Sequence, residues 1–183
     1  MSFLLSSPGI TNLPDVMNLY PGRGSLILRL IDDIMRKESQ LSDGERELIF
    51  TYISGLNACQ FCFHSHAPAA EALGIDASAI GNMEIDLDTQ NEKLKPIFSY
   101  VKKLTQTPTH VTQDDVNAIY AAGWNEQAFM DVVGICCVVN FMNRFVNGVG
   151  IDVDANTARE TGASVLPTIG YSGWAENVEK LLA

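Results

Sequence analysis

The sequence lacks several features that mark whole classes of protein. Its 12 lysine and arginine residues are outnumbered by 22 aspartates and glutamates and are scattered, so no basic stripe exists to displace the counterions of a nucleic acid. No run reaches the ~20 uncharged apolar residues that a membrane span needs. Residues 1–12 contain neither a basic segment nor a small-residue cleavage pattern. We therefore expect a cytoplasmic protein that binds neither nucleic acid nor membranes.

Cysteine is also scarce, with four in 183 residues. That number is too small for a disulfide framework, and in a cytoplasmic chain a close pair such as Cys59 and Cys62 indicates redox or metal chemistry. The other two, Cys136 and Cys137, are adjacent and lie in an apolar run. Adjacent cysteines rarely form a useful disulfide, so we interpret this second pair as structural.

Helical periodicity runs through nearly the whole sequence, and there is no convincing two-residue alternation. It predicts an all-α fold, and 183 residues with 46% hydrophobic content support one core rather than two. The expected helices run from Ser25 to about 37, from a Ser42 and Glu45 capping box to 55–57, from Asn57 to Gly74 with a kink or break at Pro68, over 91–106, from Thr112 to Gly123, and from Asn125 to about 147.

Composition divides the chain into three segments. Residues 1–24, rich in Pro, Gly and Asn, are expected to form an N-terminal arm, and 25–152 a single helical domain. Residues 153–183, around Trp174, are expected to be an extension that packs on this domain or on a neighbouring subunit. The helix over 126–147 is apolar on more than one face and must be covered all round, which predicts a symmetric homo-oligomer with an interface above ~1,000 Å².

The strongest chemical signal is the segment from Cys59 to His66. On a helix, residues three and four apart share a face, so Cys59, Cys62 and His66 can lie together. A helix N-terminus beside the sulfurs favours the thiolate, and an imidazole can accept the thiol proton. Glu47, on the preceding helix, can reach His66 if the two helices are antiparallel. The residues thus suggest a proton relay from the thiol through His66 to Glu47.

Other interpretations of these residues remain open. Cys59, Cys62, His64 and His66 could supply four zinc ligands, although structural zinc normally uses two separated clusters and no second one exists. Glu47 alone could be a solvated helix acid. We interpret His64 and His110 as surface or structural residues. The polar residues of the last apolar helix either line a cleft or bind carbonyl groups, and we favour the structural role; they are Asn140, Asn143 and Arg144.

Two motifs carry a family resemblance. The stretch 46–49, the stretch 57–62 and His66 resemble the Glu…Cys-x-x-Cys-x-x-x-His signature of the alkylhydroperoxidase D family, within the carboxymuconolactone decarboxylase-like superfamily. The resemblance extends over about 25–152. Further matches resemble the uncharacterised peroxidase-related branch; they are Leu104-Thr105, Val111-Thr112, Asp115-Val116, Gly123 and the stretch 140–144.

The resemblance implies an all-helical, oligomeric thiol peroxidase without cofactor or metal. Cys62 would attack hydrogen peroxide or an organic hydroperoxide, Cys59 would resolve it as a disulfide, and His66 and Glu47 would relay protons. An external dithiol, such as a lipoylated or thioredoxin-like protein, would supply electrons. Phe61 stands where some members have a second histidine. The alternatives are a redox sensor or disulfide oxidoreductase without peroxide turnover, and a non-redox lyase; the superfamily's true decarboxylases lack the cysteine pair.

Overall fold

The computed structural model describes residues 2–10, 12–152, 154–164 and 166–182, and within these ranges it is all-α, as predicted. One isolated antiparallel bridge, Ile80 to Ile85, is the only β pairing found there. Short 3₁₀ turns lie at Ala77–Ala79, Leu87–Thr89, Pro108–His110 and Lys180–Leu182. The helices are α1 (Leu13–Leu19), α2 (Pro21–Arg36), α3 (Asp43–Leu56), α4 (Gln60–Ala72), α5 (Lys95–Gln106), α6 (Gln113–Ala121), α7 (Glu126–Val149), α8 (Ala155–Ser164) and α9 (Gly170–Glu179).

Leu13–Leu19 and Pro21–Arg36 are helical, so much of the segment predicted to be an N-terminal arm forms helices, and the helix predicted to start at Ser25 already begins at Pro21. Asn12 caps α1 by accepting a hydrogen bond from the amide of Asp15, and Pro21 opens α2. Proline is well suited to a first helical turn, where its missing N–H has no partner to lose. Ser25, predicted to cap a helix, therefore lies inside α2. Gly24 lets the two helices touch, because a Cβ there would be 2.7 Å from the Met17 carbonyl oxygen.

The two predicted capping boxes are present, at Ser42 with Glu45 and at Thr112 with Asp115. Each closes a helix start by satisfying backbone amides at both ends of the box. The last turn of α7 ends at Gly150, whose φ of 72° is the left-handed conformation that glycine adopts without strain. The local signals thus place α3, α6 and α7 within one or two residues of the structure.

Around α4 the local predictions were less accurate. Asn57 does not cap this helix; it ends α3, and Cys59 is the residue at the N-terminal boundary of α4. Pro68 lies within α4, which continues without a break to Ala72, two residues before the predicted end at Gly74. Only the hydrogen bond from residue 68 to the carbonyl of His64 is lost there, and the burial of α4 between its neighbours can offset that loss.

The core is built around α7, which packs against α2, α3, α5, α6 and α4. By length and composition alone α7 could cross a membrane, but here it is largely the central core helix, with Met130 and Phe141 exposed on one face. The C-terminal segment folds back onto the same chain, with α8 packed on α4 and α9 packed on α2. These two contacts bring the end of the chain onto α4 and α2. Helix α8 was not predicted from the sequence.

Candidate active site

The turn between α3 and α4 presents the two cysteines. Ala58 adopts a left-handed φ of 52°, and the amide of Cys59 donates to the carbonyl of Ser54 at 2.9 Å. This reversal places Cys59 at the N-terminus of α4 and Cys62 one turn later. The thiols are not bonded, approach each other to 3.0 Å and are both buried. A disulfide between them therefore requires only a small side-chain movement.

Glu47 and His66 meet as the sequence predicts. Glu47 Oε2 lies 2.6 Å from His66 Nδ1, and the Glu47 side chain is completely buried. The antiparallel contact of α3 with α4 brings them together across 19 positions of the chain. The ring of Phe50 stacks on the imidazole at 3.5 Å between centroids, which holds its plane. A carboxylate on Nδ1 favours the tautomer or imidazolium that carries a proton there, which leaves the other nitrogen free to accept or donate a proton.

Two further residues bind the carboxylate of Glu47, and neither was predicted from the sequence. Arg36, at the end of α2, donates to Glu47 Oε1 and lies over the ring of Tyr171 at 4.9 Å. Tyr171, on α9, donates its hydroxyl to the same Glu47 oxygen at 3.1 Å and lies 3.4 Å from His66 Nδ1. Glu47 Oε1 thus has two donors, which leaves Oε2 directed at His66. Tyr171 is 124 residues from Glu47, and no spacing rule could have linked them.

The electrostatics separate the groups into those charged at rest and those that are neutral. Burial raises the pKa of Glu47, but attraction and hydrogen bonds from His66 and Arg36 outweigh it and hold that pKa below its usual value. Burial raises the pKa of the Tyr171 hydroxyl well above its usual range, and the Glu47 charge raises it further. The site therefore contains an ionised carboxylate that is bound by a neutral phenol and a guanidinium.

The two thiols also differ in the direction of their pKa shifts. Burial raises the pKa of the Cys62 thiol well above its usual value, and the neighbouring Cys59 raises it further. The hydrogen bond from Cys62 lowers the pKa of Cys59 despite burial. Cys62 is therefore the protonated member of the pair at rest. A base must remove its proton before it can act as a nucleophile.

A cavity of about 60 Å³ adjoins Cys62 and His66. Its walls come from α1, α2, α3, α4, α7 and the C-terminal segment, and they are mostly apolar. Cys62 and His66 share this cavity, although no direct hydrogen bond joins them among the described contacts. Small oxygen-containing molecules fit a space of this size. The lining residues are Leu13, Pro14, Leu28, Ile31, Phe50, Phe61, Cys62, Ser65, His66, Met142, Gly162, Leu166, Tyr171 and Trp174.

No protein-family model matches the sequence, and no curated protein matches it. Solved structures do. An uncharacterized peroxidase-related protein from Silicibacter sp. TM1040 superposes with a TM-score of 0.68 at 21% identity, over 74% of this chain and 72% of that one. The alkylhydroperoxidase AhpD core of an uncharacterized peroxidase-related protein from Ralstonia eutropha JMP134 superposes with a TM-score of 0.65 at 18% identity, over 81% and 78%. The chain has an AhpD-like fold.

In this AhpD-like fold the opposite side of the thiol pair is lined by amides from α7. The thiol of Cys59 lies 3.8 Å from Asn147 Oδ1, and Asn143 hydrogen-bonds Cys62, which opposes the rise in the pKa of that thiol. Asn143 also donates to Ser54 Oγ at 3.1 Å and accepts from Asn57 Nδ2 at 2.9 Å. Asn143 was interpreted from sequence as structural, and its contacts join the thiol pair to the turn that presents it.

The remaining candidates lie outside this cluster. His64 Nε2 contacts Gln60 Oε1 at 3.2 Å, His110 is exposed, and Cys136 is buried next to Thr105 while Cys137 is exposed. Because His66 is bonded to Glu47 and His64 to Gln60, the four possible zinc ligands do not converge. In the described ranges no three His, Cys, Asp or Glu side chains are placed to hold a metal ion.

Proposed function

We propose that this protein is a thiol-dependent peroxidase that reduces hydrogen peroxide or organic hydroperoxides through a dithiol/disulfide cycle of Cys59 and Cys62. The observation that carries the proposal is the position of Cys62. It faces a cavity that it shares with His66, and His66 is bonded to the buried carboxylate of Glu47. A nucleophile, a base and a group that orients the base are thereby present in one place. The AhpD-like fold is consistent with this reaction class but does not establish it.

The first half of the cycle consumes the peroxide. His66, oriented by its hydrogen bond to Glu47, accepts the proton of the Cys62 thiol, directly or through one water. The thiolate attacks the terminal oxygen of the peroxide: a sulfur–oxygen bond forms, the oxygen–oxygen bond breaks, and the leaving oxygen takes the proton from His66. Cys62 becomes a sulfenic acid, and the peroxide is reduced to an alcohol or to water.

The second half restores the dithiol. The Cys59 sulfur attacks the sulfenic acid, a disulfide forms and water leaves. The lowered pKa of Cys59 and its 3.0 Å separation from Cys62 both favour this step. An external dithiol, on a lipoylated or thioredoxin-like protein, then reduces the disulfide by exchange and is itself oxidised. This cycle needs no metal and no organic cofactor.

The proposal includes a homo-oligomer. Four large apolar side chains of α2 and α7 are exposed on the single chain, at 73% for Leu26, 53% for Leu30, 55% for Met130 and 47% for Phe141. Since α2 packs against α7, these side chains offer a surface that a second copy could cover. Light scattering is the measurement, and a mass near the 20.0 kDa of one chain would contradict this part of the proposal.

The test of the activity is a steady-state assay with hydrogen peroxide and an organic hydroperoxide, driven by dihydrolipoamide. The wild type is expected to turn over many times, and Cys62→Ser to be inactive. Cys59→Ser should form a sulfenic acid once and then stop. The conservative control is Cys137→Ser, which changes an exposed thiol away from the cavity and should keep full activity.

The burial of both sulfurs favours one alternative, a disulfide oxidoreductase or sensor that reacts slowly with peroxide. That function predicts disulfide exchange with small dithiols at rates that do not depend on peroxide. If the wild type reduces peroxide no faster than free cysteine does, the peroxidase proposal fails and this alternative remains.

A further inference from the structure

One buried hydroxyl in the cavity has no partner. Ser65 is only 6% exposed, and its Oγ makes no hydrogen bond with any described residue. A buried polar group without a partner loses its hydration and gains nothing in return. Such a group needs an explanation, and Ser65 lines the same cavity as Cys62 and His66.

The position of Ser65 on α4 is not incidental to the site. It is three residues after Cys62 and directly before His66, so Cys62 and Ser65 lie on one face of the helix. The neighbouring α8 closes that face tightly, because a Cβ at Gly162 would lie 1.8 Å from the Ser65 carbonyl oxygen. The backbone of Ser65 is therefore in close contact with α8.

Two other polar groups of the cavity are already committed. The Tyr171 hydroxyl and His66 Nδ1 are both bonded to Glu47. The remaining lining is aliphatic, aromatic or thioether apart from Cys62 and the indole N–H of Trp174. Among the lining residues, three polar groups therefore have no hydrogen bond to another described residue: the second nitrogen of His66, the indole N–H of Trp174 and the hydroxyl of Ser65.

We propose that Ser65 is a substrate-binding residue of the peroxidase, with its hydroxyl donating a hydrogen bond to a peroxide oxygen in the cavity. This inference rests on the function proposed above. As the oxygen–oxygen bond breaks, negative charge develops on the leaving oxygen. A fixed donor in an apolar cavity stabilises that charge more than water does, because no reorganisation is needed. Ser65 takes no part in the proton balance, which stays with Cys62, His66 and the leaving oxygen.

The proposal makes an unusual pair of expectations for Ser65→Ala. The substitution removes a donor to the substrate, so sulfenic acid formation should slow by about 10- to 100-fold. It also removes an unpaired buried hydroxyl and places a better helix former inside α4, so Tm should rise by about 2–4 °C. A serine that served only the fold would give the opposite sign of the Tm change and no specific loss of rate.

The experiment measures the rate at which stoichiometric peroxide oxidises Cys62 in a Cys59→Ser background, by trapping the sulfenic acid. Cumene hydroperoxide and hydrogen peroxide are the two probes. Alkylation of Cys62 by iodoacetamide, across pH, is measured in parallel, because this reagent has no peroxide oxygen. Ser65→Ala should slow oxidation while leaving the alkylation rate and its pH dependence unchanged.

Ser25→Ala is the matched control. Ser25 is also 6% exposed, but its hydroxyl donates to the carbonyl of Gly22 and it does not line the cavity. This control should lower Tm slightly and leave oxidation unchanged. Equal oxidation rates for wild type and Ser65→Ala would overturn the role of Ser65 while leaving the peroxidase standing. Oxidation of the wild type no faster than that of free cysteine would overturn both.

Discussion

The two sides of the thiol pair are built from different chemistry. On one side Arg36, Glu47, His66 and Tyr171 form a charged cluster around a fully buried carboxylate. On the other side α7 contributes amides, chiefly Asn143 and Asn147, which are neutral. Each side contains a group that lies within hydrogen-bonding distance of a cysteine or of His66. Only the charged side can accept and release a proton near neutral pH, whereas an amide can hold a geometry without changing charge.

The difference indicates that the groups on the two sides of the thiol pair have different roles. Burying a charge costs free energy unless the charge is paired. A buried charged cluster is therefore expected where a proton has to be transferred. The amide side touches the strained turn at Ala58 and the thiols, where a second charge would disturb the pKa of Cys62. The comparison therefore predicts that substitutions on the two sides have different consequences.

The largest effect is expected for Glu47→Gln on the charged side. The isosteric amide keeps the shape but removes the carboxylate that orients His66 and stabilises the imidazolium formed when His66 accepts the Cys62 proton, so kcat/KM for peroxide should fall by about 10²-fold or more. The measurement is kcat/KM for hydrogen peroxide at neutral pH. Glu45→Gln is the control on the same helix, because Glu45 serves only the capping box. Unchanged kinetics in Glu47→Gln would show that the charged side does not contribute to the rate, contrary to the proposed difference between the two sides.

An intermediate effect, of another kind, is expected for Asn143→Ala on the amide side. It leaves the buried groups of Ser54 and Asn57 with one partner fewer, and the free energy of unfolding should fall by about 1–3 kcal/mol. Peroxide turnover should change only a few-fold. Urea denaturation at neutral pH is the measurement. Asn117→Ala, which changes an exposed residue, should leave the stability nearly unchanged. A rate loss as large as that of Glu47→Gln would mean that the amide side also takes part in proton transfer.

The smallest effect concerns the pH dependence of stability. The pKa of Glu47 is lower in the folded protein than its usual value of 4.5, so its contribution is fully present above that pH and is lost as pH falls toward the folded pKa. The unfolding midpoint of the wild type in urea should therefore decrease from pH 6 to pH 3 more than that of Glu47→Gln. Asn143→Ala should follow the wild type.

Asp115 does not confuse that comparison. The hydrogen bond from Lys103 holds the pKa of Asp115 at about 2, and since the wild type and Glu47→Gln both keep Asp115, its contribution cancels between them. Parallel midpoints for the wild type and Glu47→Gln would show that the carboxylate contributes no pH-dependent stability.

Several local features could be predicted because the contacts that create them are close in sequence. The capping boxes at Ser42 and Thr112 depend on residues that are three positions apart. Cys62 and His66 share a helix face because they are four positions apart. The N-terminal helices were missed because residues 1–24 were interpreted as an arm from their Pro, Gly and Asn content, although Pro14 and Pro21 each lie in a first turn. The pairing of Glu47 with His66 was predicted from one assumption, that α3 and α4 run antiparallel.

The amino-acid sequence by itself determined an all-α chain, its main helix boundaries and which residues form the thiol pair and the proposed proton relay, because helical periodicity and caps are local. Only the tertiary structure decided what surrounds them. Arg36 and Tyr171 reach Glu47 from α2 and α9, Asn143 reaches the turn from α7, and the hydroxyl of Ser65 is left without a partner inside a cavity. These contacts join residues up to 124 positions apart, so they depend on how helices pack and not on any spacing along the chain.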